Sequence, residues 1–224
     1  MKFIFVKDQE ELAQTAADII KRCCAQPTNL GLASGGTVAG AYAKLAGQDF
    51  RHVTTFNLDE YIASEPFMRK QMTSMLFAKT KFKRSFFPSD ETYDDLIQRA
   101  GGIGLQVLGV GHNGHIGFNE PGPIFINKTN KVNLARETID ANARWFEHKP
   151  WTVPTQAWTA GIGTIMSAKK IILLAGKDKA HIIRKLQTQE IVDPLFPVSI
   201  LHYHKDVTII AETVDSNVTD LLQS

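Results

Sequence analysis

The 224-residue chain carries 25 Lys and Arg against 23 Asp and Glu, a formal charge of +2, and 43% hydrophobic residues, which is enough to close a sizeable core and leaves no reason to expect disorder. The basic residues are scattered, and the densest group, Lys79–Arg84, is interrupted by Phe82 and reads as a solvated helix end, so no nucleic-acid partner is expected. No stretch reaches the ~18 apolar residues of a membrane helix, the Phe3–Val6 run is too short for a signal sequence, and the adjacent Cys23 and Cys24 are unsuited to a disulfide framework, so a cytoplasmic protein without membrane contact is expected.

Short apolar runs alternate with longer amphipathic ones. Phe3–Val6 reads as a strand and Asp8–Cys24 as a helix, with Asp8 as N-cap and Glu11 three residues on. Asn29–Ala33 reads as a buried strand broken by Ser34-Gly35-Gly36-Thr37, after which Val38–Ala46 returns to helix. Val53–Asn57 is a strand, Met68–Lys79 and Ser89–Arg99 are helices, and Leu105–Val110 is a strand that ends in the glycine-rich loop Gly111–Gly122. Lys131–Leu134 is a short strand and Glu137–Arg144 a helix. Strands at Ala157–Ala160, Lys170–Ala175 and Val207–Ala211 alternate with helices at Asp178–Gln187 and Val214–Leu222. This rhythm predicts a single α/β domain over residues 1–224, with a mostly parallel central sheet covered on both faces.

In such sheets ligands sit beyond the carboxyl ends of the strands. Three segments there carry polar residues. Ser34, Gly35, Gly36 and Thr37 join a strand to a helix, where free N–H groups and small residues suit an anion; the pattern is neither a dinucleotide nor an NTP signature, and a plain capped turn remains open. Asp59 and Glu60 follow the Val53–Asn57 strand, where Asp59 could be a general base, although in isolation a capping or surface acid is the better reading. Gly109–Gly122 packs His112, Asn113, His115, Asn119 and Glu120 among five glycines. A His with a carboxylate makes an acid/base pair; His112, His115 and Glu120 as metal ligands are the rival, without the usual HExxH spacing. Arg144 and Lys179 are candidate phosphate holders, while His202 and His204, and the helically spaced Met68, Met72 and Met75, read as structural.

Together these segments resemble the glucosamine-6-phosphate deaminase family. The similarity is carried by GLASGGT (Gly31–Thr37), TTFNLDEY (Thr54–Tyr61), GHNGHIGFNEPG (Gly111–Gly122), ANARWF (Ala141–Phe146) and GIGTIM (Gly161–Met166), in family order. The resemblance implies a modified Rossmann-like three-layer sandwich, an amino-sugar phosphate as substrate, and no metal or organic cofactor. It implies Asp59 as the base moving a proton between C2 and C1, and His115 as the ring-opening group with Asn113 and Glu120 as partners. Ser34, Gly35, Gly36, Thr37, Arg144 and Lys179 would hold the phosphate. Three departures stand out. Asn113 replaces the Asp of some members, so Glu120 must be the acidic partner of His115. The stretch after Tyr61, IASEPFMRKQ, lacks the usual Gly/Pro/His character. Pro123, Ile124, Asn130 and Val132 stand where allosteric members place Ser and basic residues, which implies no allosteric effector and a monomer or small homo-oligomer. The alternatives are a galactosamine-6-phosphate enzyme, a 6-phosphogluconolactonase, which would not need Asp59 as a carbon base, and a non-catalytic sugar-phosphate sensor.

Overall fold

The computed structural model describes residues 1–63 and 65–213; the helix expected at Val214–Leu222 lies outside the described residues. Among the described residues ten strands form: β1 (Lys2–Val6), β2 (Asn29–Leu32), β3 (Asp49–Asn57), β4 (Asp59–Tyr61), β5 (Lys81–Phe86), β6 (Leu105–Gly109), β7 (Asn130–Asn133), β8 (Gln156–Thr159), β9 (Lys170–Ala175) and β10 (Val207–Glu212). Seven pair in parallel in the order β1-β10-β9-β6-β2-β3-β5, and β4-β8-β7 make a small antiparallel sheet. The helices are α1 (Gln9–Cys23), α2 (Gly36–Ala43), α3 (Phe67–Met72), α4 (Tyr93–Arg99), α5 (Arg136–Asn142), α6 (Ile162–Met166) and α7 (Ala180–Thr188).

The central strands read as continuous apolar runs because both faces are covered. Ile171–Ala175 of β9 and all six residues of β10 are buried. Helix α1 starts where the sequence indicates: Asp8 Oδ1 accepts from Glu11 N at 2.9 Å, and Glu11 Oε2 reaches back to Lys7 N at 2.9 Å. Its buried stripe Leu12, Ala13, Ala16, Ala17, Ile19 and Ile20 packs against α2 and the β1/β10/β9 side of the sheet.

Two expectations are corrected. Lys79–Arg84 is not a helix end: residues 81–86 form the edge strand β5, whose Phe82 and Phe86 pack on Phe50 and Phe56 at 5.8 and 5.4 Å while Lys83 and Arg84 between them are exposed. The Met68–Lys79 helix is shorter, ending at Met72 and continuing as a π-helical turn over Thr73–Phe77. His202 and His204 are structural, although they lie on a 3₁₀ turn and its cap instead of a strand, with ring nitrogens on the carbonyls of Leu186 and Ala168.

The chain runs outward from β2 to β3 and β5, then returns to β6 and runs the other way through β9 and β10. The strand order therefore reverses between β2 and β6, and a crevice opens past their carboxyl ends. The small sheet closes one side of it. GIGTIM serves that attachment: Ile162 N and Thr164 N donate to the carbonyls of Ile126 and Asn127, and Thr164 Oγ1 and Thr129 Oγ1 donate to the same Asp94 oxygen at 2.8 and 2.6 Å. A Cβ on Gly161 would lie 2.3 Å from the carbonyl oxygen of Lys128 and 2.6 Å from that of Asn127. Backbone cannot yield as a side chain can, so Gly161→Ala is expected to destabilise the protein by about 1–3 kcal/mol, read as a lower urea midpoint in equilibrium unfolding.

Candidate active site

A cleft of about 480 Å³ lies past the ends of β2 and β6. Ser34, Gly35, Gly36 and Thr37 form one wall. Gly35 has φ +127 and ψ 168, a conformation open to glycine alone, and no side chain caps the start of α2. The first N–H groups of α2 are thus left without an intrahelical partner and face an approaching anion with the favourable end of the helix dipole. Arg144 and Lys179 line the same cleft. The guanidinium of Arg144 lies 5.2 Å from the centre of the Trp145 ring, and Lys179 Nζ donates to Asp178.

Asp59 stands where β3 leaves the parallel sheet. Leu58 N donates to Leu32 O at 2.9 Å, Ala160 N donates to Leu58 O at 2.7 Å, and Asp59 then pairs with Thr159 in the small sheet. The side chain is buried, 7% exposed, and faces the cleft. Ser34 Oγ donates to its Oδ1 at 3.3 Å. Burial pushes the Asp59 carboxyl up to about 7; the Ser34 hydrogen bond opposes this, and the charge of Glu60 adds to it. Glu60 itself is structural. Its Oε1 accepts from Met68 N at 2.7 Å and Tyr61 N at 3.1 Å, and its Oε2 from Arg69 N at 2.9 Å, which caps α3.

His115 lines the opposite wall. Gly111 N donates to His115 O at 2.9 Å, closing a tight loop in which the imidazole lies on the Gly111 Cα; a Cβ there would sit 2.1 to 2.3 Å from three ring atoms. Asn113 and Glu120 do not line the cleft but stand behind the ring. Asn113 Oδ1 is 2.7 Å from His115 Nδ1, Asn113 Nδ2 donates to Glu120 Oε2 at 2.8 Å, and Glu120 Oε2 is 3.4 Å from His115 Nδ1. Thr138 Oγ1 donates to Glu120 Oε1. Burial by itself would raise the Glu120 carboxyl, but the bonds and charge of His115 and the bonds from Thr138 and Asn113 outweigh it and bring it down to about 2. A carboxylate only accepts, so the Asn113 amide nitrogen must face Glu120 and its oxygen must face His115. The proton then resides on Nδ1, and Nε2 is left for the cleft.

The eight residues assigned from sequence to the cleft itself meet there, and the other two form the support of His115. His112 also lines the cleft, with its ring 6.0 Å from that of His115. Glu120 and His115 address each other through Asn113, which makes the trio a hydrogen-bonded relay in place of the ligand set considered above. Sequence reasoning missed Thr138, and it quoted Tyr61 and Asn142 without a role. Asn142 Nδ2 donates to Tyr61 OH at 2.9 Å, and Tyr61, Phe67, Phe118 and Phe146 form an aromatic wall in which Phe67 and Phe146 stack at 4.2 Å. Met68 belongs to the core stripe, yet its sulfur also lies 3.4 Å from Ser34 Oγ.

An open helix start of a kind that suits an anion, a buried carboxylate and a carboxylate-backed histidine thus surround one crevice of an α/β fold. No family model matches the chain. A glucosamine-6-phosphate deaminase of Shouchella clausii (strain KSM-K16) is 45% identical, covering 97% of this chain and 97% of its own; one of Bacillus velezensis (strain DSM 23117 / BGSC 10A6 / LMG 26770 / FZB42) is 42% identical, covering 95% and 97%. The solved structure of a monomeric glucosamine-6-phosphate deaminase superposes with a TM-score of 0.85 at 37% identity, covering 95% of this chain and 97% of that one. A 6-phosphogluconolactonase from Thermotoga maritima shares the fold alone, with a TM-score of 0.73 at 16% identity, covering 95% and 99%. The chain belongs to the glucosamine-6-phosphate deaminase family.

The upward shift of the Asp59 carboxyl has a cost in stability. Between its ordinary 3.8 and about 7 the folded state holds a proton that the unfolded state has lost, so stability falls as pH rises through this window and is flat above it. The full penalty is on the order of 4 kcal/mol. Asp59→Asn is therefore expected to raise the thermal midpoint at about pH 8 and to leave it unchanged at about pH 4, measured by calorimetry at both.

Proposed function

We propose that the protein converts glucosamine 6-phosphate and water into fructose 6-phosphate and ammonia. The observation that carries this is the buried Asp59 and His115 lining one cleft together with an open helix start.

The substrate phosphate binds at Ser34, Gly35, Gly36 and Thr37, with Arg144 and Lys179 adding charge. Fixing this remote group supplies binding energy that orients the reacting carbons. His115 Nε2 takes the C1 hydroxyl proton and returns it to the ring oxygen, opening the sugar; the charge that gathers on the imidazole is matched by Glu120 through Asn113 and across the 3.4 Å gap. Asp59 then removes the C2 proton, a proton of the C2 ammonium passes to the C1 oxygen, and Asp59 delivers its proton to C1. The intermediate is an enol-type species, and the outcome is a C2 iminium that water attacks. Loss of ammonia from the resulting carbinolamine leaves the 2-ketose. A carboxylate with acidity near neutrality suits a step in which one group must both take and return a proton.

The names of the relatives favour glucosamine over galactosamine as the sugar, and the retained Asp59 and His115 favour turnover over sensing. A monomer or small homo-oligomer is supported by the monomeric relative. Independence from an amino-sugar phosphate effector is supported by the apolar and neutral residues at Pro123, Ile124, Asn130 and Val132. The unbridged Cys23 and Cys24 support a cytoplasmic setting. Among the described residues, no helix is long and apolar enough to cross a membrane.

The test is ammonia release from glucosamine 6-phosphate and galactosamine 6-phosphate, with and without N-acetylglucosamine 6-phosphate. Release from the gluco substrate alone, indifferent to the effector, is expected; no ammonia from either sugar would overturn the assignment. Asp59→Asn is expected to lower kcat by about 10²–10⁴-fold. In the wild type kcat/KM is expected to rise with pH up to about 7 as Asp59 ionises, with the pH profile of initial rates as the measurement. Thr138→Val removes one of the bonds that hold the Glu120 carboxylate behind His115 and is expected to lower kcat while leaving the Asp59 limb of that profile near 7 and the fold intact.

A further inference from the structure

A second cleft, about 580 Å³, lies at the opposite end of the sheet, beside the amino ends of β2, β6 and β9. Lys83 and Arg84 reach it from β5, Arg99 from the last turn of α4, and Lys169 from the segment ahead of β9, and no Asp or Glu is among its lining residues. Elsewhere Lys44, Arg51 and Arg136 each pair with a carboxylate, and Lys170, next to Lys169, pairs with Asp206 at 3.9 Å. Among the described residues none of the four cleft cations has such a partner. Lysine on an edge strand serves to block pairing with other chains, which accounts for Lys83. It does not account for Arg99 and Lys169, which come to the same cleft from other elements.

The floor of the cleft is also stripped of negative potential. The carbonyls at the end of α4 would face it with the unfavourable end of the helix dipole. Asn29 Nδ2 covers the cap carbonyl of Ala100 and that of Gly102 in the turn beyond, donating at 2.7 Å to each, and His52 Nε2 is 2.7 Å from the carbonyl of Cys24. Neutral donors are thus spent on carbonyl oxygens while the charged ones stay open. Two arginine forks match phosphate oxygens in pairs, and the lysines add point charges. We infer that this second cleft binds a multiply phosphorylated small molecule, held by Lys83, Arg84, Arg99 and Lys169. Four cations exceed what one phosphate monoester neutralises, and the volume, close to that of the first cleft, sets the size of the ligand.

The probe is inorganic tripolyphosphate, titrated calorimetrically into the full chain with fructose 6-phosphate present to fill the first cleft. One site is expected, weakened tenfold or more by the double substitution Lys83→Gln with Arg99→Gln, with ammonia release and the thermal midpoint unchanged because both side chains are exposed and outside the reaction. Citrate, a polycarboxylate of similar charge, is expected to bind at least tenfold more weakly. Absence of binding, equal binding by the double variant, equal binding of citrate, or a single-stranded oligonucleotide displacing tripolyphosphate at lower concentration would each overturn the inference. The comparison of wild type with double variant reads the second cleft whatever occupies the first, so its failure is separable from failure of the deaminase assignment.

Discussion

Asp59 is a carboxyl group kept from water at the seam between two sheets, and among the described residues no cation lies within ion-pairing distance to offset its burial. Its one hydrogen bond is a long one from Ser34. The seam is made by Leu58, whose N–H belongs to β2 of the parallel sheet and whose carbonyl belongs to the loop after β8 of the antiparallel one. Most of what surrounds the cleft follows from this arrangement. Glu60 is turned away to cap α3, so that two neighbouring carboxylates have separate uses, and α3 in turn sets Phe67 and Met68 against the cleft.

The two carboxylates of the site illustrate how environment divides one chemistry. Asp59 is buried with little compensation and is driven up to about 7; Glu120 is partly buried with three donors and is driven down to about 2. The first gains a usable affinity for protons, and the second stays ionised behind His115. Asn113 fits this division. As a neutral amide it cannot share the charge, but it transmits the polarity of Glu120 to the ring with its orientation fixed by what a carboxylate can accept.

The parallel sheet, the N-cap of α1 and the three polar strand ends were legible because each has a local signature: unbroken apolar runs, Asp8 with Glu11, and glycines after strands. The edge strand β5 was not, because Lys81, Lys83 and Arg84 mask the two phenylalanines that share a face, and the packing of Phe82 and Phe86 on β3 is a long-range fact. β4 has three residues and exists only through its partner β8. Within the site, residues on strand-end loops could be read, whereas Thr138 could not: it sits in an ordinary helical segment and is recruited by a contact across 18 positions. GIGTIM was read as part of the resemblance, and its use turns out to be attachment of the small sheet, away from the chemistry.

The joining of the sheets through Leu58 has a consequence for how the protein fails. Elements of a fold open locally with free energies below that of global unfolding, and a small three-stranded sheet joined to the main body at Leu58 and through Asp94 is a unit that can open by itself. Were β4, β8 and β7 to part from the rest, Asp59 would meet water and revert to an ordinary carboxylic acid while the seven parallel strands stayed intact. The protein would still look folded by its secondary structure and would have lost its base, so warming silences such an enzyme before it melts.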